Sequence, residues 1–460
     1  MSGSPKRLSI QEMDLLCRRQ EAEGAPMAAY EGPLERHVAD GDRRLLHLEF
    51  DDSAAALRLW NFLLTEEDRL HEARAAGTKI VGTMKDLGTV PVMAYSLPDV
   101  IAFYPDGAWW TPCVMELSAG LLGLAQSLGV GEAFCPVRAM LGAFVNRAHF
   151  PIPDLLTCSV GATCDDFSAI AQRLESLGFP ILWWEMPHRR RPDPGESAVV
   201  LPGGFEAPES QVALVRSELE RVRAALQTLA GARLGDGELA AGIREANRVR
   251  NLLADLRRLA YAAEPCPMPA LEMLIAEMLA IHFCSDRAEA VAVLNGLLDE
   301  VKRRTEDGQG VLPEGAARVF WVNPVADLRA MNLLEDCGGR LCGTEFLFSH
   351  ALDPIPEDLP PMEALARMAL ADPMVGPSAD RASRIVRDAR AFGAEAVVVS
   401  RIPGASHCAL EGAVIAEIVR TELDLPVVEL EVPPVADPML PTLRTRLEAI
   451  AETVLKRRNV

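Results

Sequence analysis

From Lys79 onward, short apolar runs alternate with longer amphipathic stretches, and this alternation is what most restricts the fold. KIVGTM (79–84) opens the pattern, and DVIAFYP, TPCVMELSAGLLGLAQSLG, DLLTCSV, DDFSAIAQRLESLG and PILWWEMP continue it. Thr111-Pro112 is a helix-start signal and Gly178 a helix-stop signal. Strands that alternate with helices in this way pair in parallel, with helices covering the sheet. Before residue 76 the apolar spacing is three to four, so LSIQEMDLLCRRQEAEGAPMAA and SAAALRLWNFLLTEEDRLHEARAAG are expected to be helical. From about 207 to 308 the strands disappear and four helical stretches follow one another. After a turn at Pro313-Glu314-Gly315, RVFWVN (318–323) starts a second alternating section, and a last helix runs from about 438.

The expected architecture is α/β, with two similar parallel-sheet (Rossmann/flavodoxin-like) domains, an N-terminal helical segment and a helical insertion between the domains. The boundaries read as 1–75, 76–206, 207–312, 313–437 and 438–460. The two sections repeat one another. In the first, DLLTCSV leads to Cys164, a helix, then Pro180, Glu185 and Pro187. In the second, EAVVVSR leads through IPGASH to Cys408, a helix, then Pro426, Glu431 and Pro433. The separations from cysteine to proline are close, 180−164=16 against 426−408=18. Each section therefore sets one cysteine after a strand, at a helix N-terminus. Ligands bind at the carboxyl ends of such strands, and a helix N-terminus favours thiolate over thiol.

The formal net charge of −20 argues against a general grip on nucleic acid or on an anionic membrane. The N-terminus lacks the apolar segment of a secretory signal, and LEMLIAEMLAIHF (271–283) is too short and too acidic to span a bilayer. The expectation is a cytoplasmic protein with its ten cysteines reduced and no nucleic-acid partner. Neither GxGxxG nor GxxxxGK[ST] occurs, so no ATP site is expected on this chain. Cys337 and Cys342 (CGGRLCG) lack a second pair or a histidine at zinc spacing, which makes zinc a weak reading. Glu185 and Glu431 read as strand-end carboxylates with structural roles.

The motifs FCPVRAMLG, PDLLTCSVGATCDDF, WWEMP, SRIPGASHC and RTRLEAI together resemble the 2-hydroxyacyl-CoA dehydratase and benzoyl-CoA reductase family, from about Lys79 to Glu452. The resemblance implies one [4Fe–4S] cluster per chain, held between two domains by Cys135, Cys164 and Cys408, with Cys158 a structural bystander. It also implies an acyl-CoA substrate that receives one electron, a related second subunit in a heterodimer, and a separate ATP-hydrolysing iron–sulfur activator. The aromatic reductase type is slightly favoured. The alternatives are a 2-hydroxyacyl-CoA dehydratase subunit, a homodimeric double-cubane reductase and a cluster-free scaffold. Beside Cys408, His407 is the catalytic candidate, as a hydrogen-bond donor to a cluster sulfur or to substrate. In the basic run His188-Arg189-Arg190-Arg191, Arg189 and Arg190 are candidates for CoA phosphates, against the plainer reading of a solvated loop. One departure from the family pattern is Pro91, followed by Val92 and Met93 where the family carries a glutamate and an aliphatic residue.

Overall fold

The computed structural model describes residues 5–22, 29–86, 88–105, 118–147, 149–346, 349–406, 410–434 and 436–459. Two parallel four-stranded sheets form its frame. The first contains β3 (Lys79–Met84), β4 (Val100–Phe103), β5 (Leu155–Gly161) and β6 (Ile181–Met186), in the order β4-β3-β5-β6. The second contains β9 (Ala317–Val322), β10 (Gly339–Glu345), β11 (Ala396–Arg401) and β12 (Val427–Glu431), in the order β10-β9-β11-β12. Counted within each sheet the order is 2-1-3-4 both times, so the repeat seen in the sequence is a repeat of topology. Helices cover both faces of the strands, which is why β11 can be apolar from Ala396 to Val399, with all four residues buried.

Smaller strands were not legible. β1 (Arg7–Ser9) pairs antiparallel with β2 (Glu49–Asp51), and β7 (Ala198–Val200) pairs antiparallel with β8 (Glu206–Pro208). The helical reading of residues 53–77 resolves into two helices, Ala54–Leu64 and Glu66–Ala75, divided at Thr65. Ser53 caps the first, its hydroxyl accepting the Ala56 N–H at 3.1 Å. The helix expected to start at Thr111 is described from Ser118 to Ser127, and its proposed start lies outside the described residues. CGGRLCG spans the end of the helix Arg329–Asp336, at Cys337, and the first residues of β10. Cys342 is wholly buried in the second sheet's core, and burial pushes its thiol up to about 12.

Four helices join the two sheets: Glu209–Ala230, Asp236–Ala262, Ala270–His282 and Arg287–Glu306. Every residue of Ala270–His282 is buried, including two glutamates. Glu277 is satisfied by Arg257 at 2.5 Å, Tyr261 at 2.5 Å and Thr344 at 2.6 Å. Among the described residues, no cation pairs with Glu272. One of its oxygens accepts the Asp51 N–H at 3.0 Å and the Trp60 indole N–H at 3.1 Å. Burial, then the nearby Asp51 carboxylate, push Glu272 up to about 8. The folded value lies above the ordinary one of 4.5, so its stabilising contribution is present below 4.5 and lost as pH rises through about 8. Glu272→Gln, which cannot ionise, is therefore expected to gain stability over the wild type at pH 8 relative to pH 5. Urea midpoints at the two pH values check this, and a difference that does not change with pH contradicts it.

Candidate functional site

In a sheet of order 2-1-3-4, the crevice opens between the carboxyl ends of the first and third strands, where the connections diverge to opposite sides. Both sheets build that point alike. Lys85, with φ of 61°, directly follows β3, and Asn323, with φ of 69°, directly follows β9. A serine near the end of the third strand braces each left-handed turn. The Ser159 hydroxyl donates to the Lys85 carbonyl at 2.7 Å, and the Ser400 hydroxyl lies 3.1 Å from the carbonyls of Val322, Asn323 and Pro324.

Beyond β5 the chain makes a tight turn at Gly161, whose φ of 110° and contact with the Met186 carbonyl exclude a side chain. It then delivers Cys164 to the N-cap of the helix Asp165–Ser176. Burial raises the Cys164 thiol, while the Phe167 N–H, Lys85 and Ser406 pull it down. Cys135 caps the turn Pro136–Arg138, which leads into the helix Ala139–Asn146. Both cysteines thus stand at the start of helical turns on the same side of the first sheet.

Asp166 joins these pieces, and it was not singled out in the sequence. One of its carboxylate oxygens accepts the Cys135 N–H at 3.3 Å. The other accepts the Ser406 N–H at 3.0 Å and lies 3.8 Å from Cys164 Sγ. Cys164 Sγ is also 3.8 Å from the Ser406 hydroxyl, so the loop after β11 reaches across to the first domain's cysteine. Gly404, at φ of 82°, permits this approach, because a Cβ there would stand 2.6 Å from the carbonyls of Glu132 and Phe134. Cys135 packs in turn against Ala326, Ile402 and Ala405 of the second section.

His407 and Cys408 lie outside the described residues. Among the described residues, no group of three His, Cys, Asp or Glu side chains could hold a metal ion. The described donor set is two thiols, Cys135 and Cys164, brought to one place together with Ser406. That chemistry suits iron–sulfur ligation and needs further sulfur to complete it. Cys158 points into the apolar core of the first sheet and is fully buried.

The basic run after β6 divides. Arg189 is 0% exposed and does not belong to a solvated loop. Its guanidinium donates to the carbonyls of Leu370 at 2.6 Å and Asp372 at 3.2 Å, pairs with Asp380 at 3.2 Å, and lies 4.3 Å from the centre of the Phe205 ring. Arg190 is partly exposed and pairs with Glu196 and Asp193. Two buried cations that the sequence reading passed over reach the cysteine-bearing segments, Arg138 donating to the Phe134 carbonyl at 2.6 Å and Lys85 to the Ser168 hydroxyl at 3.2 Å. Burial lowers Arg138, opposed first by Cys135. Burial also lowers Lys85, opposed first by Cys164.

Two flavodoxin-like halves, in which the loop after β11 reaches the cysteine-bearing turn after β5, define the α/β class to which the chain belongs. Residues 101–454 match the family model of the 2-hydroxyglutaryl-CoA dehydratase D-component, and the chain belongs to that family. A search of the curated proteins finds no match. The family carries out radical-type acyl-CoA dehydration and reduction, an enzymatic role of oxidoreductase or lyase type, in multi-subunit systems with an ATP-dependent activator. Among the described residues, no helix is long and apolar enough to cross a membrane.

Proposed function

We propose that this chain is the iron–sulfur subunit of a 2-hydroxyacyl-CoA dehydratase-type enzyme, with Cys135, Cys164 and Cys408 holding one [4Fe–4S] cluster. The observation that carries this reading is the junction at Asp166, where the Cys135 loop, Cys164 and Ser406 meet across the two sheets. The dehydratase is preferred over the aromatic reductase that the motifs slightly favoured, because the matching family model is that of a dehydratase component. A cluster on three thiolates supplies a one-electron donor with one iron position not taken by protein.

The protein's own part is to present the thiols and to shield them. Helix N-termini at Cys135 and Cys164 favour the thiolates that bind iron, and Asp166 sets the spacing of the loops. His407 is proposed to donate a hydrogen bond toward the cluster or the substrate carbonyl. Arg190, at the surface after β6, is the remaining candidate for the phosphates of CoA, since backbone carbonyls already occupy Arg189. A related second subunit and a separate ATP-hydrolysing activator complete the proposed system.

The test is anaerobic reconstitution followed by iron analysis. About four iron atoms per chain are expected in the wild type, as for one cubane. Cys164→Ala and Cys408→Ala are each expected to lose most of that iron, and variants that keep it all would sink the ligand assignment. Incubation with activator, ATP and either a 2-hydroxyacyl-CoA or benzoyl-CoA then separates dehydratase from reductase. Turnover of benzoyl-CoA alone would reverse the preference.

A further inference from the structure

Arg189 follows β6 in the first half of the molecule, yet every hydrogen bond described for its guanidinium goes to the second half. The Leu370 and Asp372 carbonyls that accept from it lie at the C-terminal end of the helix Pro361–Leu370, where carbonyls lack helical partners and a cation is favoured. Asp380, its ion-pair partner at 3.2 Å, lies in the first turn of the helix Ser378–Ala391. The Arg189 backbone N–H donates to the Val375 carbonyl at 2.8 Å. Gly376 leaves room for the guanidinium. A Cβ there would stand 2.1 Å from Nη2, and its three nearest neighbours would all be atoms of that guanidinium. With φ of −103° and ψ of −177°, Gly376 has extended backbone open to any residue, so glycine is needed there for space and not for conformation. The seam between the halves continues past Arg189. Arg387 donates to the Gly203 carbonyl at 2.9 Å and Arg367 to the Val200 carbonyl at 3.3 Å, which seats the β7–β8 hairpin on the same two helices. Toward the cysteines, Ala369 and Asp372 line a void of about 10 Å³ together with Trp184 of β6 and Thr163, the neighbour of Cys164. Such a void has room for about one water molecule, so the halves are packed together up to the cysteine turn.

We infer that Arg189 is a positioning residue: it fixes the second half against the first, so that the turn at Cys164 and the loop at Ser406 stay within reach of one another. Its bearing on iron rests on the cluster reading above. A buried guanidinium is costly unless carbonyls and a carboxylate meet it. Only one arrangement of the halves brings residues 370–380 to the end of β6 to do so. Asp166 holds the same junction at the cysteines themselves, whereas the bonds of Arg189 go to neither cysteine-bearing turn.

The test is amide hydrogen exchange on the full chain, read by mass spectrometry for the wild type, Arg189→Met, Gly376→Ala and the double variant. The Ser406 N–H reports the junction, because its acceptor, Asp166, belongs to the other half. Amides within β5 and β11 report the interior of each half. Arg189→Met is expected to exchange at Ser406 about tenfold faster than the wild type, with β5 and β11 unchanged. Gly376→Ala is expected to do the same by displacing the guanidinium, and the double variant to go no further, since both changes remove one set of contacts. After anaerobic reconstitution, each single variant is expected to yield its iron to a chelator about tenfold faster than the wild type. Wild-type exchange at Ser406 in both single variants overturns the inference. Equal acceleration at Ser406, β5 and β11 also overturns it, because that is a general loss of stability. Should Arg189→Met not fold, Gly376→Ala decides by the same comparison. Faster exchange with iron held as in the wild type overturns the bearing on the site. A wild type that takes up no iron overturns the cluster reading, while the exchange comparison still decides whether Arg189 holds the halves.

Discussion

Asp166→Ala is expected to release its iron about 10- to 100-fold more readily than the wild type when challenged with a chelator, the usual range for losing a partner that orients metal ligands. The reason is the number of segments that one carboxylate holds. It accepts the backbone N–H of Cys135 at 3.3 Å and of Ser406 at 3.0 Å, and it stands 3.8 Å from Cys164 Sγ. Bonds to a charged group are worth about 1.5–3 kcal/mol each, so two of them lost exceeds what either loop recovers alone. Alanine leaves both N–H groups to water or to nothing, and the loops lose their common anchor.

Asp166→Asn should fall between alanine and wild type. The amide keeps one accepting oxygen for one loop and turns an N–H toward the other. Asp166 also works against the site, since its charge helps to raise the Cys164 thiol. Its benefit must therefore be geometric, and the variants should separate in iron retention while their circular dichroism stays alike. Full retention of iron by Asp166→Ala under chelator would contradict the role given to this residue.

How much of this could be read from the sequence depended on how redundantly each feature was written. Central parallel strands buried on both faces are largely apolar runs, so β3, β5, β9 and β11 were evident, and the edge strands β4, β6 and β12 were legible from their place in the strand–helix alternation. β10 was not, because GRLCGTE mixes glycine, cysteine and charge, and its burial comes from tertiary packing. Arg340, for example, is wholly buried, received by the carbonyls of Ala260 and Ala263 and by the Glu264 carboxylate at 2.8 Å. The cysteine positions were legible through the repeated strand, turn, cysteine and helix. Asp166 was hidden by its place, since an acidic residue in the first turn of a helix already has an ordinary explanation in the helix dipole. Lys85 was hidden by its backbone, because nothing local in MKD signals a left-handed lysine. Arg189 lay in a run of charges that reads as solvated, and its partners at 370, 372 and 380 are far along the chain.

The second large effect is expected on the other side of the same junction, at Arg381. Arg381→Met should cost about 3–5 kcal/mol, the range for removing one member of a buried ion pair. The Arg381 guanidinium is 0% exposed. It grips both oxygens of Glu345, the closest at 2.6 Å, and also reaches Glu411 at 2.9 Å and the Asn323 side-chain oxygen at 2.5 Å. Asn323 is the left-handed residue that follows β9, and Glu411 stands at the N-cap position of the helix Gly412–Leu423. Asp166 holds the chain at Ser406 and Arg381 holds it at Glu411, so the two clamps flank residues 407–409 from either end. Without the guanidinium, Glu345 is a carboxylate only 2% exposed, and burial, which already pushes it up, goes unopposed by its main partner. A carboxylate raised further above its ordinary value leaves stability that is present at low pH and lost as pH rises. The deficit of Arg381→Met should therefore be smaller at pH 5 than at pH 8, and Arg381→Met with Glu345→Gln should recover part of it at pH 8. Urea midpoints for the wild type, both single variants and the double variant at the two pH values measure this. A deficit that is the same at both pH values, or a double variant no more stable than Arg381→Met alone, would show that the buried Glu345 charge is not the source of the loss.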